Sequence, residues 1–417
     1  PIDSAPSEIE AAMNQFMLTT GIVVVGTILF FFGLSGFLLK VLQAARGLYW
    51  RGLNMFTVRQ LSAKVNTVSF SMAIISMILF LAITSVTGGM SIASVMNTSV
   101  ERSTIADYSR VVMYLGENVV NDPTYTGDVP MKLATEPVDI LELSRSNVID
   151  KGTSEERPFD LAGILGRYVQ VEIYDSRPIG TELPLVSLND LAAAVDMPMP
   201  KGTNSSNASM MGLAVMKESD YNRYLDFRGK ERVDLGDTGY LITSDMGESL
   251  NKIYNADMRE GVEIELGGRV LRPAAASVDE AASSFFNSSM GSNSGTIVVP
   301  DELVDASGLP LYTSYFLGDY REGLTYDETE GYVRQDRSWD QILNADGSES
   351  AIWGMEATRA QSYESTNSMN GLISYLAIYI GFVLVVACAA ILTIQQLSGV
   401  ADSGKNFLIR CELGTSN

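Results

Sequence analysis

The chain contains no histidine among its 417 residues. That absence removes histidine-dependent catalytic triads, most zinc sites and the usual general base near neutral pH. Cysteine is scarce as well: Cys388 sits in an apolar run and Cys411 close to the last residue, so no extracellular disulfide framework is expected. No phosphate-cradling glycine loop of the Walker type is present, which leaves any nucleotide chemistry to another subunit. Carboxylates are plentiful, yet none falls in a recognisable catalytic pair, and no catalytic, cofactor-binding or metal-binding set is predicted. Asp327-Glu328-Thr329-Glu330 and Asp234 with Asp237 come nearest to calcium ligands; they lack the twelve-residue loop pattern and read as solvated acidic loops.

Charge is missing altogether from Val65 to Val100 and from Ser365 to Ala401. As an α-helix, either stretch would run about 54 Å, well beyond the roughly 30 Å of a bilayer's hydrocarbon core. A third uncharged block, Gly21 to Leu39, is also long enough to span. It is too long for a signal peptide, and acidic rather than basic residues precede it. The spans hold no ionisable residue, which argues against ion-coupled transport. No proline interrupts them, and Gly88-Gly89 marks an expected bend where the second helix leaves the membrane. The chain opens at Pro1, so it reads as part of a longer protein.

Between the first two spans lie Lys40, Arg46, Arg51, Arg59 and Lys64 and no acid, which assigns that loop to the cytoplasm. The expected fold is a membrane protein with three transmembrane α-helices and a large extracytoplasmic mixed α+β domain between the second and third. Residues 1–16 form an outer lead-in, 17–43 a span, 44–67 a basic amphipathic cytoplasmic segment, and 68–100 a span with a stalk. Residues 101–364 form the outer domain, 365–398 a stalk and span, and 399–417 a cytoplasmic coupling segment. The expected location is a plasma membrane, with the lipid bilayer as its surroundings.

The outer domain carries 45 acids against 22 bases. Such a surface repels nucleic acid, suits solubility in a saline exterior and attracts cations, a cationic peptide among them. The Asn-x-Ser/Thr triplets at Asn97, Asn204, Asn207 and Asn287 read as chance. Alternation predicts a half-buried strand at Val169, Val171 and Ile173, with Gln170 and Glu172 outward. Val262 to Leu266, Gly267-Gly268 and Arg269 to Leu271 predict a hairpin, because paired glycines accept the positive φ of a tight turn. Shorter strands are expected at Val111–Leu115, Gly212–Met216, Tyr240–Thr243 and Thr296–Val299. One helix should start at Ser187, capped with Asp190, and another near Ser219, carrying Tyr221, Tyr224, Leu225 and Phe227. Lys201–Ser209 and Ser283–Gly295, rich in serine, asparagine and glycine, read as mobile loops.

On the cytoplasmic side, Met55, Val58, Leu61 and Val65 fall on one face of a helix, with Arg59 and Lys64 on another. Phe407, Leu408, Cys411 and Leu413 form a second apolar cluster. Either could lie on lipid headgroups or dock a partner.

The segment LYWRGLNMFTVRQLSAKVNT resembles the one entering the core of FtsX-like permeases, at Tyr49, Gly52, Asn54, Phe56, Arg59, Leu61, Lys64 and Thr67. YLAIYIGFVLVVACAAILTIQQLS, followed by Ala401-Asp402-Ser403 and Leu413-Gly414, is similar to that family's next span and coupling segment. SDYNRYLDFRG, around Asp220-Tyr221-Asn222, is similar to part of the outer domain in the bacitracin-resistance branch of MacB-type ABC transporters. The resemblance implies a permease that conveys force rather than substrate through its helices, serving antimicrobial-peptide or lipid-linked substrate resistance. It implies a separate cytoplasmic ABC ATPase carrying ATP and Mg, docked on Asn54, Phe56, Val58, Arg59, Leu61, Lys64, Asp402, Phe407 and Leu413. The same branch includes permeases that partner sensor histidine kinases. The alternative reading is a membrane receptor whose outer domain binds a ligand and signals to a cytoplasmic kinase; a tethered hydrolase ranks below both.

Overall fold

The computed structural model describes residues 8–44, 54–122, 129–145, 148–149, 152, 154, 156–199, 212–246, 248–280, 282–288, 292–334, 342–343 and 347–412. Its chain falls into two units, Pro1–Val95 with Ser368–Asn417, and Met96–Asn367. The elements begin with helices α1 (Glu8–Ala44) and α2 (Asn54–Ser103), then strand β1 (Tyr108–Tyr114). Short pieces follow: α3 (Glu117–Val120), α4 (Ile140–Arg145), β2 (Val148–Ile149), β3 (Arg157–Pro158) and α5 (Leu161–Ile164). Next come β4 (Leu165–Tyr174), α6 (Leu188–Ala194), β5 (Ala214–Lys217), α7 (Glu218–Phe227), β6 (Gly239–Thr243) and α8 (Glu248–Glu260). The hairpin β7 (Ile264–Leu266) and β8 (Arg269–Pro273) precedes β9 (Thr296–Val299), α9 (Asp301–Ser307) and β10 (Leu311–Tyr320). Last are α10 (Tyr326–Val333), β11 (Ile342–Leu343), β12 (Glu349–Thr358) and α11 (Arg359–Glu412).

The described part of the first unit is helical. Among the described residues, three helices are long and apolar enough to cross a membrane, over Met17–Leu34, Ser71–Ser103 and Arg359–Ala401. Some of their hydroxyls are satisfied within the helix, as when Thr27 and Thr393 each donate to the carbonyl four residues back at 2.8 Å. The bend expected at Gly88-Gly89 is replaced by an unbroken helix from Asn54 to Ser103. Gly89 serves close packing instead: a Cβ there would lie 2.3 Å from that of Ala377, and one on Gly381 would lie 2.6 Å from Val86. Ser85 donates to the Ala377 carbonyl at 3.3 Å, and Cys388 Sγ lies 3.7 Å from the carbonyl of Ile75. Contact positions rise along α2 as they fall along α11, so the pair is antiparallel. Small residues let the two backbones approach, and dispersion between them takes the place of a hydrophobic drive that lipid would not supply.

The second unit is built on a ten-stranded sheet in the order β11-β12-β1-β10-β4-β5-β9-β6-β8-β7. Neighbours are antiparallel except β5 with β9 and β6 with β8. One core cluster gathers Val171, Ile173, Val215, Tyr221, Tyr224, Ile242, Ile253, Phe285 and Val298. A second holds Tyr108, Val112, Ile140, Phe159, Phe316 and Val333.

The strands expected at 111–115, 169–173, 212–216, 240–243 and 296–299 correspond to β1, β4, β5, β6 and β9. The predicted hairpin forms, with Gly267 at φ 58° and Gly268 at φ 75°. Ser187 and Asp190 make the reciprocal capping box at the start of α6. The helix expected near Ser219 is α7, beginning one residue earlier.

Three expectations for the sheet domain need correction. Glu172 is not outward: it is 6% exposed, because the segment around Val138 covers the polar face of β4. Asp327–Glu330 belongs to α10 rather than a loop, and buried Glu330 accepts from Tyr320 and Thr358 at 2.8 and 2.7 Å. The stretch 283–295 is coil in its described part, but Asn287 and Asn293 are buried and fully hydrogen-bonded, not solvated. Lys201–Ser209 lies outside the described residues.

Candidate functional site

The predicted ATPase-docking residues Asn54, Phe56, Val58, Arg59, Leu61 and Lys64 occupy the first turns of α2, and Asp402 and Phe407 the last turns of α11. Those segments are helical, continuous with the apolar helices. The placement of these side chains, and Leu413 altogether, lies outside the described residues.

The sheet domain offers a different site, missed by spacing arguments. Strands β5 and β9 run parallel in register from Ala214 with Thr296 to Lys217 with Val299, so both end side by side. Each then turns directly into a helix, α7 at Glu218 and α9 at Asp301. The carboxyl ends of parallel strands are where open sheets leave room for ligands. Here a cleft of about 910 Å3 opens, lined among others by Glu172, Lys217, Glu218, Asp220, Asp237 and Asp301. Asp301 accepts from the backbone N–H of Ser219 at 3.0 Å, tying the start of one helix to that of the other.

Every base lining the cleft already has an acid. Lys217 bonds Asp305 at 2.6 Å, Arg232 bonds Asp226 at 2.6 Å, and Arg269 lies 3.6 Å from Glu302. Arg223 pairs with Asp220, which is buried. Glu218, Asp237 and Asp301 form no ion pair among the described residues, so the cleft holds a surplus of negative charge. Burial raises the carboxyls of Glu218 and Asp220 above the usual range, with Arg223 opposing the shift on Asp220.

Glu172 lies at the floor. Burial pushes its carboxyl up to about 7 despite hydrogen bonds from Ser314 and Gln170. Behind it runs a directed chain: Val138 N–H donates to the Tyr114 hydroxyl at 2.8 Å, and that oxygen lies 2.6 Å from Ser314 Oγ. With Glu172 ionised, Ser314 donates to it and Tyr114 supplies the proton between the two hydroxyls. Gln170 Nε2 bonds both Glu172, at 2.8 Å, and the Val138 carbonyl, at 2.7 Å. The arrangement holds Glu172 rigidly and suits capture of an ammonium or guanidinium group by the surplus carboxylates above it.

Besides Glu172 and Arg269, named above for their strands, two groups singled out from sequence reach the cleft. Asp220 and Asn222 stand on α7; Asn222 is a clip, accepting from Val233 N–H at 2.8 Å and donating to the Val233 carbonyl at 2.9 Å. Asp237 lines the wall, whereas Asp234 accepts from the N–H of Gly236 at 3.0 Å in a local turn. No group of three or more metal-ligating side chains occurs among the described residues.

No protein-family model matches this chain, and no curated protein matches it significantly.

Proposed function

We propose that the chain is the permease subunit of a bacterial ABC transporter of the FtsX-like, MacB type, conveying ATP-driven motion across the plasma membrane to an extracytoplasmic ligand-binding domain. One observation carries the reading: two very long helices, α2 and α11, flank the sheet domain in sequence and pack on each other through Gly89, Ala377 and Gly381. With 50 and 54 residues they extend about 75 and 80 Å, more than twice the thickness of a hydrocarbon core. The two touch between Ile75 and Gly89 on one and Ala377 and Cys388 on the other, and a shift of one helix against the other along that contact would carry displacement from end to end.

ATP hydrolysis belongs to a separate cytoplasmic subunit that docks on the start of α2, from Asn54 to Lys64, and the last turns of α11 around Phe407. The sheet domain takes a ligand bearing ammonium or guanidinium groups, a cationic peptide or a lipid-linked form of one, in its acid-rich cleft. Ligand and nucleotide are then linked through the shared helix pair, each biasing the arrangement the other prefers. Nothing need pass through the helices themselves.

The test is affinity capture of the full chain from its native membrane. Co-purification of an ABC ATPase supports the reading, and Phe56→Asp or Leu61→Asp should abolish it. Recovery of a histidine kinase with no ATPase would favour the receptor instead, and undiminished ATPase capture by both variants would remove the proposed docking surface.

A further inference from the structure

Helix α7 has two working faces. Asp220 and Arg223 face the cleft, while Tyr221 and Tyr224, one position further on in each case, face the interior. Tyr221 donates to Asp279 at 2.8 Å and to the carbonyl of Ala282 at 3.3 Å. Tyr224 donates to the carbonyl of Ser284, and its ring meets Phe285 edge-on with centroids 5.0 Å apart. One turn of the helix therefore grips the segment 282–288.

That segment in turn grips the two places where the chain passes between the sheet domain and the long helices. Asn287 is 1% exposed, and all the hydrogen-bonding capacity of its carboxamide is spent there. Its Oδ1 accepts from the N–H groups of Ile105 and Ala106 at 2.9 and 3.3 Å, just beyond the end of α2. Its Nδ2 donates to the carbonyls of Ala106, at 2.8 Å, and Ala357, at 3.1 Å, the latter just before α11. Ser109 reinforces the knot, donating to Ala357 O at 2.9 Å and accepting from Asn287 N–H at 3.0 Å. Ser103 also donates to the carbonyl of Ser288. A last tie joins the two chain segments directly, because Arg359 bonds Asp107 through its side chain at 3.1 Å and its N–H at 2.9 Å.

We infer that segment 282–288 is a relay: it ties the position of the cleft helix α7 to both the segment leaving α2 and the segment entering α11, with Asn287 as the positioning residue that holds the two together. The alternative of a merely filled core does not explain the pattern. A core loop needs its polar groups satisfied, but these are satisfied by the two chain segments that a moving helix pair would displace. A shift of α7 on ligand capture would pull Ala282 and Ser284, and through Asn287 would reach Ile105, Ala106 and Ala357 together.

This inference rests on the permease reading for its purpose but not for its test. Hydrogen exchange is followed by mass spectrometry on the full chain in lipid nanodiscs, with no ATPase present. Tyr224→Phe removes one hydroxyl at the cleft helix; Tyr332→Phe, whose hydroxyl accepts from Asp160 N–H at 2.9 Å in the other core cluster, is the matched control. Tyr224→Phe should speed exchange of the Ile105, Ala106 and Arg359 amides about fivefold, the loss of one hydrogen bond's net worth, while Tyr332→Phe leaves them unchanged. Should Tyr224→Phe fail to fold, Tyr221→Phe carries the same expectation. Unchanged exchange at those amides, or an equal rise in the control, would overturn the relay. Failure of ATPase capture with the exchange result intact would sink the permease reading alone.

Discussion

Gly89 and Ala377 meet so closely that a Cβ on the glycine would lie 2.3 Å from the alanine's own. No side chain larger than hydrogen fits at position 89 without moving one helix. Gly89→Leu should therefore separate α2 from α11 at a cost of about 1–3 kcal/mol, the usual penalty of overpacking. An Ile75→Cys substitution provides the readout: Cys388 Sγ lies 3.7 Å from the Ile75 carbonyl, so a short bifunctional thiol reagent should join the two cysteines. Cross-linking should fall several-fold in the Gly89→Leu background. Gly26→Leu, at a position with nothing within 4 Å, should leave it unchanged.

Acidity should stabilise the sheet domain. Burial raises the carboxyls of Glu172 and Asp257 to about 7 each, and Asp257 is fully buried with neither oxygen hydrogen-bonded among the described residues. A carboxyl raised on folding favours the folded state while protonated. Its contribution is complete below the ordinary carboxyl range and is lost as pH rises towards and through 7, at up to about 1.4 kcal/mol per pH unit for each group. Thermal unfolding of the full chain should show a midpoint that drops between pH 5 and pH 8. Glu172→Gln with Asp257→Asn should flatten that dependence; an unchanged slope in the double variant would contradict the assignment.

Charge in the cleft should govern capture of cations. Glu218→Gln with Asp237→Asn removes two carboxylates that are free of ion pairs among the described residues and leaves the Arg223–Asp220 pair in place. Affinity for an oligolysine peptide, read by calorimetry at low salt, should fall about fivefold, in keeping with partly exposed charge pairs. The remaining affinity should depend less on ionic strength than in the parent chain. Equal affinity for both proteins would place the cationic ligand elsewhere.

Local signals in the sequence translated well into structure. Ser187 and Asp190 signalled a cap, Gly267-Gly268 a turn, and Val169, Val171 and Ile173 a buried face, because each depends on neighbours close in the chain. Strands β10 and β12 gave no such signal. Buried Thr313, Ser314, Glu349 and Ser350 break up the apolar alternation that would have revealed them. Buried Asn251 and Asp257 blur the apolar stripe of α8 in the same way.

The cleft was illegible for another reason. Glu172, Lys217, Asp237 and Asp301 lie on separate segments brought together by the β4-β5-β9 order, which spacing does not encode. Within the apolar helices, hydropathy treats small and large residues alike. The contact of Ala82, Gly89, Ala377, Gly381 and Cys388 was therefore hidden among their neighbours.

Displacement of the helix pair can be measured directly. Val95 and Met369 are 68% and 51% exposed and face outward on α2 and α11, so spin labels there should not disturb packing. With Cys388→Ala and Cys411→Ser to clear other thiols, the label-to-label distance is recorded in the complex with its ATPase, nucleotide-free and vanadate-trapped. The account predicts a change in mean distance of at least about 2 Å, the scale of helix shifts in switching proteins. Superimposable distributions while the complex hydrolyses ATP would contradict it.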